Sequence, residues 1–406
     1  MAQFQFIYCM SNTLTPLSPT YWSRIMGRKL YKVTVFRSQA SFEEQATLKD
    51  GQIVDRPYRS DIVAETYTKG TAMTAQDLTA TSDQLTVNKF KAMLMYVDNV
   101  DKIQNKWDSA KVWAEEAALR LAIIIDAEYL YEVVNANNTV DDGDLGGTSG
   151  NGITLATTNL LNTYGKVNRK LDIQNVPREE RFINISPQWY DVLWQFIAGK
   201  ESLLGDKTGE YNNIGSYAGL KHYLTNNLTA SAVWTPANAP TAADTITISG
   251  VTFTFVDTIG TTAGNVLVNG GTVAQVITRL TTLINAPSTT TANGVAFSGA
   301  DLRTVQQMVA VDGTTYITVY HKGQSYLTVA GSDATDVWSK KIQHNLAGRK
   351  GAIDVVIQKE PNVDMASTVS AGKSGMNILP MAIFGVKTFN QGKNEIVDVK
   401  ISSSAF

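Results

Sequence analysis

Apolar and polar positions along this chain follow two periods, and Gly and Pro punctuate them unevenly. Between Thr71 and Asp142 neither residue occurs over 72 positions, which demands long regular elements. Leu85–Val97 alternates there, with Phe90, Ala92, Leu94 and Tyr96 on one side, and predicts a long strand. Gln52–Tyr67 is its expected partner. Pro57 cannot donate to a ladder, so that strand belongs at an edge or outside a compact sheet. With the polar connection Thr68–Gln84, the two strands make an extended hairpin arm reaching away from any core.

The period then changes. Ala110, Ala114, Ala117, Leu121 and Ile124 recur in steps of three and four, and Glu116–Arg120 is a favourable i,i+4 pair. Asp108–Asn135 is therefore expected to be one helix roughly 40 Å long, capped by Asp108. A second helix is expected over Leu155–Leu171, then a buried strand Arg181–Ile185. A helix from Pro187 to about Ile197 follows, with proline in its first turn. Gly205–Asn227 reads as loop-rich, although His222 falls within a short strand. Ile353–Gln358, Met381–Phe389 and Glu395–Ile401 read as strands.

The sharpest change of composition covers Thr229–Ala300. Asp244, Asp257 and Arg279 are its only charged residues among 72. Thr245–Val256 predicts a hairpin turning at Ser249-Gly250, Thr272–Asn285 a helix, and Tyr316–Tyr320 and Tyr326–Val329 short strands. Periodic apolar residues favour a packed α+β unit between Val233 and Trp338 over a flexible stalk.

Composition narrows the class. The chain has 406 residues, with 35 basic and 37 acidic side chains and a net charge of −2. That length suits two or three domains, and the balance argues against gripping nucleic acid through a large positive field. An apolar fraction of 43% excludes global disorder. Cys9 stands alone, and His222, His321 and His344 are too scattered to suggest a metal site, so no metal or cofactor is expected. The apolar run Ala117–Ala127 is short and holds Arg120 and Asp126, and residues 1–23 carry no charge. No membrane span or secretory signal is expected, and the product reads as soluble and intracellular.

Motifs for chemistry are weak. Gly372-Lys373-Ser374 ends like a phosphate loop, but Ser367 stands where its first glycine belongs. Asp141-Asp142-Gly143-Asp144 hints at calcium, yet Ile153 occupies the position of the closing glutamate, which leaves an acidic surface turn. Glu43-Glu44, Glu115-Glu116 and Glu179-Glu180 are adjacent and point apart on a helix. No Gly-x-Ser-x-Gly elbow occurs, and an enzyme is not expected. Arg24, Arg28, Lys29, Lys32 and Arg37 form an acid-free basic cluster. It suits either a contact with nucleic acid or an acidic partner, or the solvated face of an amphipathic helix.

Taken in order, these pieces resemble the major capsid protein of tailed bacteriophages, with its HK97-like fold. Asp98-Asn99-Val100-Asp101-Lys102-Ile103-Gln104 is similar to the run that leads into that family's spine helix, with Asn99 in place of an acid. Val176–Phe182 through Ser186-Pro187 and Tyr190 resembles the segment feeding its axial domain. Ile214–Leu220 with Thr225–Leu228, and later Gly351-Ala352, Gln358–Pro361 and Phe384–Lys387, are similar to its later stretches. The likeness covers about 20–228 and 345–402, and order and spacing carry it.

The resemblance implies an α+β subunit with an N-terminal arm at 1–36 and an E-loop at 37–97. A peripheral domain would take 98–152 and 376–406, an axial domain 153–232 and 339–375, and an insertion domain 233–338. It implies self-assembly as pentamers and hexamers into an icosahedral virion shell around double-stranded DNA, built in the bacterial cytoplasm with a scaffolding protein and a portal protein. Intersubunit E-loop contacts would fall to Arg56, Arg59, Lys69 and Asp77, and an inner-face basic arm to Arg24, Arg28, Lys29 and Lys32. The competing expectations are a tail-tube or tail-sheath protein, and an adhesin carrying the Thr-rich module.

Overall fold

The computed structural model describes residues 31–403 apart from 49–50, 60–61, 105–108, 199–214, 334–335 and 371–372. Arg24, Arg28, Lys29, Cys9, Asp108 and Gly372 lie outside the described residues. Lys32–Phe406 forms one compact unit.

A short helix, α1 (Phe36–Gln39), precedes the arm. Strands β1 (Ile53–Arg59) and β2 (Ala80–Thr86) pair antiparallel from Ile53↔Thr86 to Arg59↔Ala80, as a two-stranded ribbon apart from every other sheet. The expected single strand Leu85–Val97 continues as two more pieces, β3 (Lys89–Ala92) and β4 (Met95–Asp98), before α2 (Asn99–Gln104). The gap at Met93–Leu94 lies beside Pro380, which has no N–H to give, and the Met93 N–H donates to the Pro380 carbonyl at 3.1 Å. The alternation survives, with the side holding Leu85, Val87, Lys89, Lys91, Met93, Met95 and Val97 turned inward and the Phe90–Tyr96 side outward. Phe90 and Leu94 are 63% and 72% exposed, while Lys89 and Lys91 are half-buried.

The spine helix α3 (Ser109–Tyr131) runs on as a 3-10 turn, Glu132–Asn135. Ala114, Ala117, Leu121 and Ile125 are buried along it, and the small residues let sheet and hairpin approach closely. Then come β5 (Asn138–Val140), α4 (Leu160–Ile173), β6 (Arg181–Ile185), α5 (Pro187–Ala198), β7 (Ser216–Tyr217) and β8 (Leu220–Leu224). Helix α4 starts later than its apolar pattern suggests. The Asn159 carboxamide staples the preceding turn, accepting from Ala156 N–H and donating to the Thr154 carbonyl, both at 2.9 Å.

The Thr-rich region opens on β9 (Thr229–Thr235) and contains β10 (Thr245–Ile248), β11 (Val251–Val256), β12 (Asn265–Leu267), α6 (Val273–Asn285), α7 (Gly299–Val305), β13 (Met308–Asp312), β14 (Ile317–His321) and β15 (Val329–Gly331). The β10–β11 hairpin turns at Ser249-Gly250, both with positive φ (49° and 81°). Thr272 and Gln275 form a capping box at the start of α6. Phe253, Phe255, Val276, Leu280 and Ile284 share one apolar core with Ala230, Ala232 and Trp234 of β9.

The chain closes with β16 (Val337–Arg349), β17 (Asp354–Ser370), β18 (Lys373–Lys387), α8 (Gly392–Glu395) and β19 (Ile396–Ser402). The expected strands Ile353–Gln358 and Met381–Phe389 are the roots of one long β17–β18 hairpin, joined by β3 and β4. The central sheet has nine strands in the order β13-β14-β9-β16-β6-β8-β7, with β19 on β16 and β5 on β19. Helices α4 and α5 pack on one face through Tyr164, Val167, Trp189 and Leu193. The spine packs on the other face and on the hairpin through Leu121, Ile125, Tyr129 and Val133.

The Thr-rich region leaves and rejoins the rest at adjacent points, since Thr235 pairs with Val337 and Trp234 with Trp338. It also extends the central sheet, because β14 pairs with β9 along Ala230–Trp234. A boundary at 233 cuts through that shared strand.

Candidate functional site at the arm roots and the spine helix

Beyond the ribbon, every described residue from 62 to 82 is exposed. Ile62 and Leu78 are 74% and 77% exposed, and Val63, Tyr67 and Met73 lie open beside them. The Gln76 carboxamide donates to the Val63 carbonyl at 2.6 Å and accepts from its N–H at 3.2 Å. A two-stranded ribbon is marginal alone in water, so this arm needs a surface to lie on. Lys69 sits in its outermost turn, and Arg59 and Asp77 are exposed along it.

Arg56 has a different place. Its guanidinium is bound at the root of the arm by Glu44 (2.7 Å) and Asp354 (3.2 Å), 4.1 Å over the Phe389 ring. Phe389 belongs to a small core with Leu48, Leu85, Val87 and Val356, and Lys387 pairs with Asp83 at 3.3 Å. Burial pushes the Asp354 carboxyl up, against the Ser41 hydroxyl and Arg56 that hold it ionised. Arg56 is thus held within the chain, while Arg59, Lys69 and Asp77 are exposed.

Three buried carboxylates near the end of the spine organise what surrounds it. Asp126 Oδ1 accepts from the backbone N–H groups of Val35 (2.7 Å) and Phe36 (2.9 Å), and Oδ2 accepts from Asn227 Nδ2 (2.9 Å). Burial raises its carboxyl to about 6. Glu128 binds Lys89 of β3 at 2.7 Å and Lys322 of the Thr-rich region at 2.9 Å. Burial alone would raise Glu128, but the two ammonium groups lower it to about 2. Glu132 accepts from both the N–H (3.1 Å) and the hydroxyl (3.0 Å) of Thr388. Sequence reasoning missed this trio, although acids at 126, 128 and 132 in an apolar helix end are its visible signal. Lys32, of the basic cluster, donates to the Gly323 carbonyl and is half-buried. Arg37 pairs in the open with Glu360 at 3.2 Å.

A Ser–His–Asp chain occurs in the central sheet. Ser231 Oγ lies 2.9 Å from His344 Nε2, and His344 Nδ1 lies 2.8 Å from Asp398 Oδ2. This is the order of a nucleophilic triad, but the residues are 3%, 4% and 3% exposed on neighbouring strands β9, β16 and β19. It pins three strands together, and no local motif could announce it across so long a separation. His222 is likewise packed, against the Tyr164 hydroxyl at 2.8 Å, and burial lowers it to about 4. The acids of 141–144 already have partners: Asp141 accepts from Gly150 N–H at 2.7 Å, Asp142 from Thr148 N–H at 2.9 Å, and Asp144 pairs with Lys170 of α4 at 3.2 Å. Lys373 opens a strand rather than a helix, unlike a phosphate loop. Among the described residues no group of ligands could hold a metal ion, and no helix is long and apolar enough to cross a membrane.

No family model matches the sequence, and no curated protein matches it. Solved structures do. The chain superposes on a structure from Mycobacterium phage Che8 with TM-score 0.55 and 13% identity, covering 94% of this chain and 96% of that one. The capsid of the cyanophage P-SCSP1u gives 0.52 and 11%, over 99% and 100% of the two chains. The mature capsid of bacteriophage PhiM1 gives 0.51 and 10%, over 95% and 92%. The architecture is the α+β, HK97-like fold of phage capsid structures, matched end to end.

Proposed function

We propose that this chain is a phage major capsid protein, which assembles as pentamers and hexamers into an icosahedral virion shell around double-stranded DNA. The observation that carries the reading is the arm at 62–82, exposed throughout and apolar at Ile62, Val63, Tyr67, Met73 and Leu78, on a fold matched over its whole length. Such a ribbon makes sense when it lies on a neighbouring copy, repeated by closed symmetry. Arg59, Lys69 and Asp77 would make the contacts, with Arg56 holding the root. A net charge of −2 suits a wall that encloses DNA without gripping it. Arg24, Arg28, Lys29 and Lys32 would face scaffold or genome on the inner side. The insertion would stand on the outer face, where a coat has room. Assembly in the bacterial cytoplasm, a scaffolding protein and a portal belong to the same reading, and the role is structural rather than enzymatic.

Negative-stain imaging of purified protein tests it. Closed shells or capsomers are expected, and tubes or only single particles would overturn it. Replacing residues 62–79, which lie beyond the β1–β2 pairing, by a short turn should leave a folded subunit that builds no shells, and normal shells from that deletion would remove the arm's role.

A further inference from the structure

The turn after β14, His321–Gly323, reaches out of the Thr-rich region and seats on the spine helix. Lys322 Nζ meets both oxygens of Glu128 at 2.9 Å and lies 4.7 Å from the centre of the Tyr131 ring. Gly323 lies so close that a Cβ there would stand 3.3 Å from the Ala127 Cβ and 2.9 Å from Asn227 Oδ1, and its φ is +73°. The buried His321 ring, 2.9 Å from the Lys322 carbonyl through Nδ1, backs the turn from within. None of these contacts is needed to close the insertion's own core, which is built of other residues.

The same few residues reach both arms. Glu128, which holds Lys322, also holds Lys89 at 2.7 Å, and Lys89 opens β3, the strand that continues directly from β2 of the exposed arm. The Gly323 carbonyl accepts from Lys32, three residues before Val35, whose N–H is fixed by Asp126, two residues before Glu128 on the spine. Asn227 closes the circle by donating to Asp126 at 2.9 Å and to the Ile123 carbonyl at 2.9 Å. The one Glu128 carboxylate is shared by two ammonium groups, so its position is set jointly by the strand and by the turn, and a lysine lost from either side leaves the carboxylate held from one direction only.

We propose that the His321–Gly323 turn is a positioning element within the subunit, through which the insertion fixes the roots of the extended arm and of the N-terminal segment on the spine helix. The insertion then does more than decorate a surface: it sets the angle at which the extended arm leaves its root and holds residues 32–36 on the spine. The inference rests on the reading of the arms as assembly elements, but the coupling itself is a property of the single chain and is measured there.

The test is hydrogen exchange on the full-length, unassembled protein, with Lys322→Met and Gly323→Ala compared with the parent and with Lys322→Arg. Lys322→Met keeps an apolar stem over Tyr131 and leaves the Lys89–Glu128 pair in place, and Gly323→Ala changes no charge. Amides of 85–92 and 31–36 should exchange at least tenfold faster in both variants, with 251–256 and 276–284 unchanged and Lys322→Arg close to the parent. Parental rates at 85–92 and 31–36, with faster exchange confined to 317–328, would overturn the proposal. So would uniform acceleration over the whole chain in both variants, which would make the turn a plain stability contact. Shell formation plays no part in this readout, so absence of shells counts against the capsid reading alone.

Discussion

The side chain of Asp126 fixes the backbone of Val35: its Oδ1 accepts the Val35 N–H at 2.7 Å inside the subunit. Burial raises this carboxyl to about 6, above its ordinary 3.8. The folded form therefore binds the proton more tightly than the unfolded form does. The resulting stability is full below about pH 4 and is lost as pH rises through 6. Over that window the effect is on the order of 3 kcal/mol. Asp126→Asn keeps an acceptor without a charge, so its urea midpoints should lack this fall between pH 4 and 7.

Glu128 behaves in the opposite sense. Its carboxyl is lowered to about 2 from 4.5 by Lys89 and Lys322, against the cost of burial. Its contribution is complete above about pH 4.5 and disappears as pH falls toward 2. Glu128→Gln at pH 7 leaves two lysines facing a neutral amide and should cost about 3–5 kcal/mol. Denaturant unfolding of that variant should also show no stability loss between pH 4.5 and 3 attributable to this site.

Arg56 anchors the arm, so Arg56→Ala should strand Asp354, whose side chain is 4% exposed. A loss of about 2–4 kcal/mol is expected. Proteolysis should then cut more readily at 62–79 than in the parent, while the core around Phe253 and Leu280 stays protected. Arg59→Ala, at an exposed strand end, should leave subunit stability within about 0.5 kcal/mol and act, if anywhere, on assembly.

Ser231 hydrogen-bonds His344 without an approach for substrate. Ser231→Ala is expected to cost about 1–2 kcal/mol, as for a buried bond left half-made. A fluorophosphonate probe should leave Ser231 unlabelled on the folded protein by mass spectrometry. Labelling would show an accessible, activated hydroxyl.

A fragment 233–338 discards Ala230 and Ala232 from the core of the Thr-rich region and removes β9 residues that pair with Tyr320 and His321. A fragment 228–344 retains both. The longer fragment should melt cooperatively by circular dichroism, and the shorter one should melt lower or not at all.

The sequence carried local structure well where one period dominates. The spine, α5, α6, the β10–β11 hairpin and β19 all lie within a few residues of where their patterns put them. Gly and Pro signals are properties of a few neighbouring residues, so they survive without tertiary context. The exposed arm was legible for the same reason: a Pro-bearing strand, a polar tip and no room for a core.

Tertiary contacts decided the rest. Alternation located β3 and β4 but could not say that Lys89 faces inward, because that depends on Glu128, 39 positions later. The long β17–β18 hairpin shows only its roots in sequence, since ladder pairing can extend strands whose side chains carry little apolar pattern. The partners of Arg56 within the chain, Glu44, Asp354 and Phe389, come from three separate stretches of sequence, so no local pattern announces them. Apolar periodicity set the start of the Thr-rich unit at Val233, whereas its core also takes Ala230 and Ala232 from the first half of β9, because a sheet edge is completed by whichever strand lies beside it. Periodicity reports which side of an element is apolar. What that side meets is settled only when elements distant in sequence close on one another and buried charges find partners.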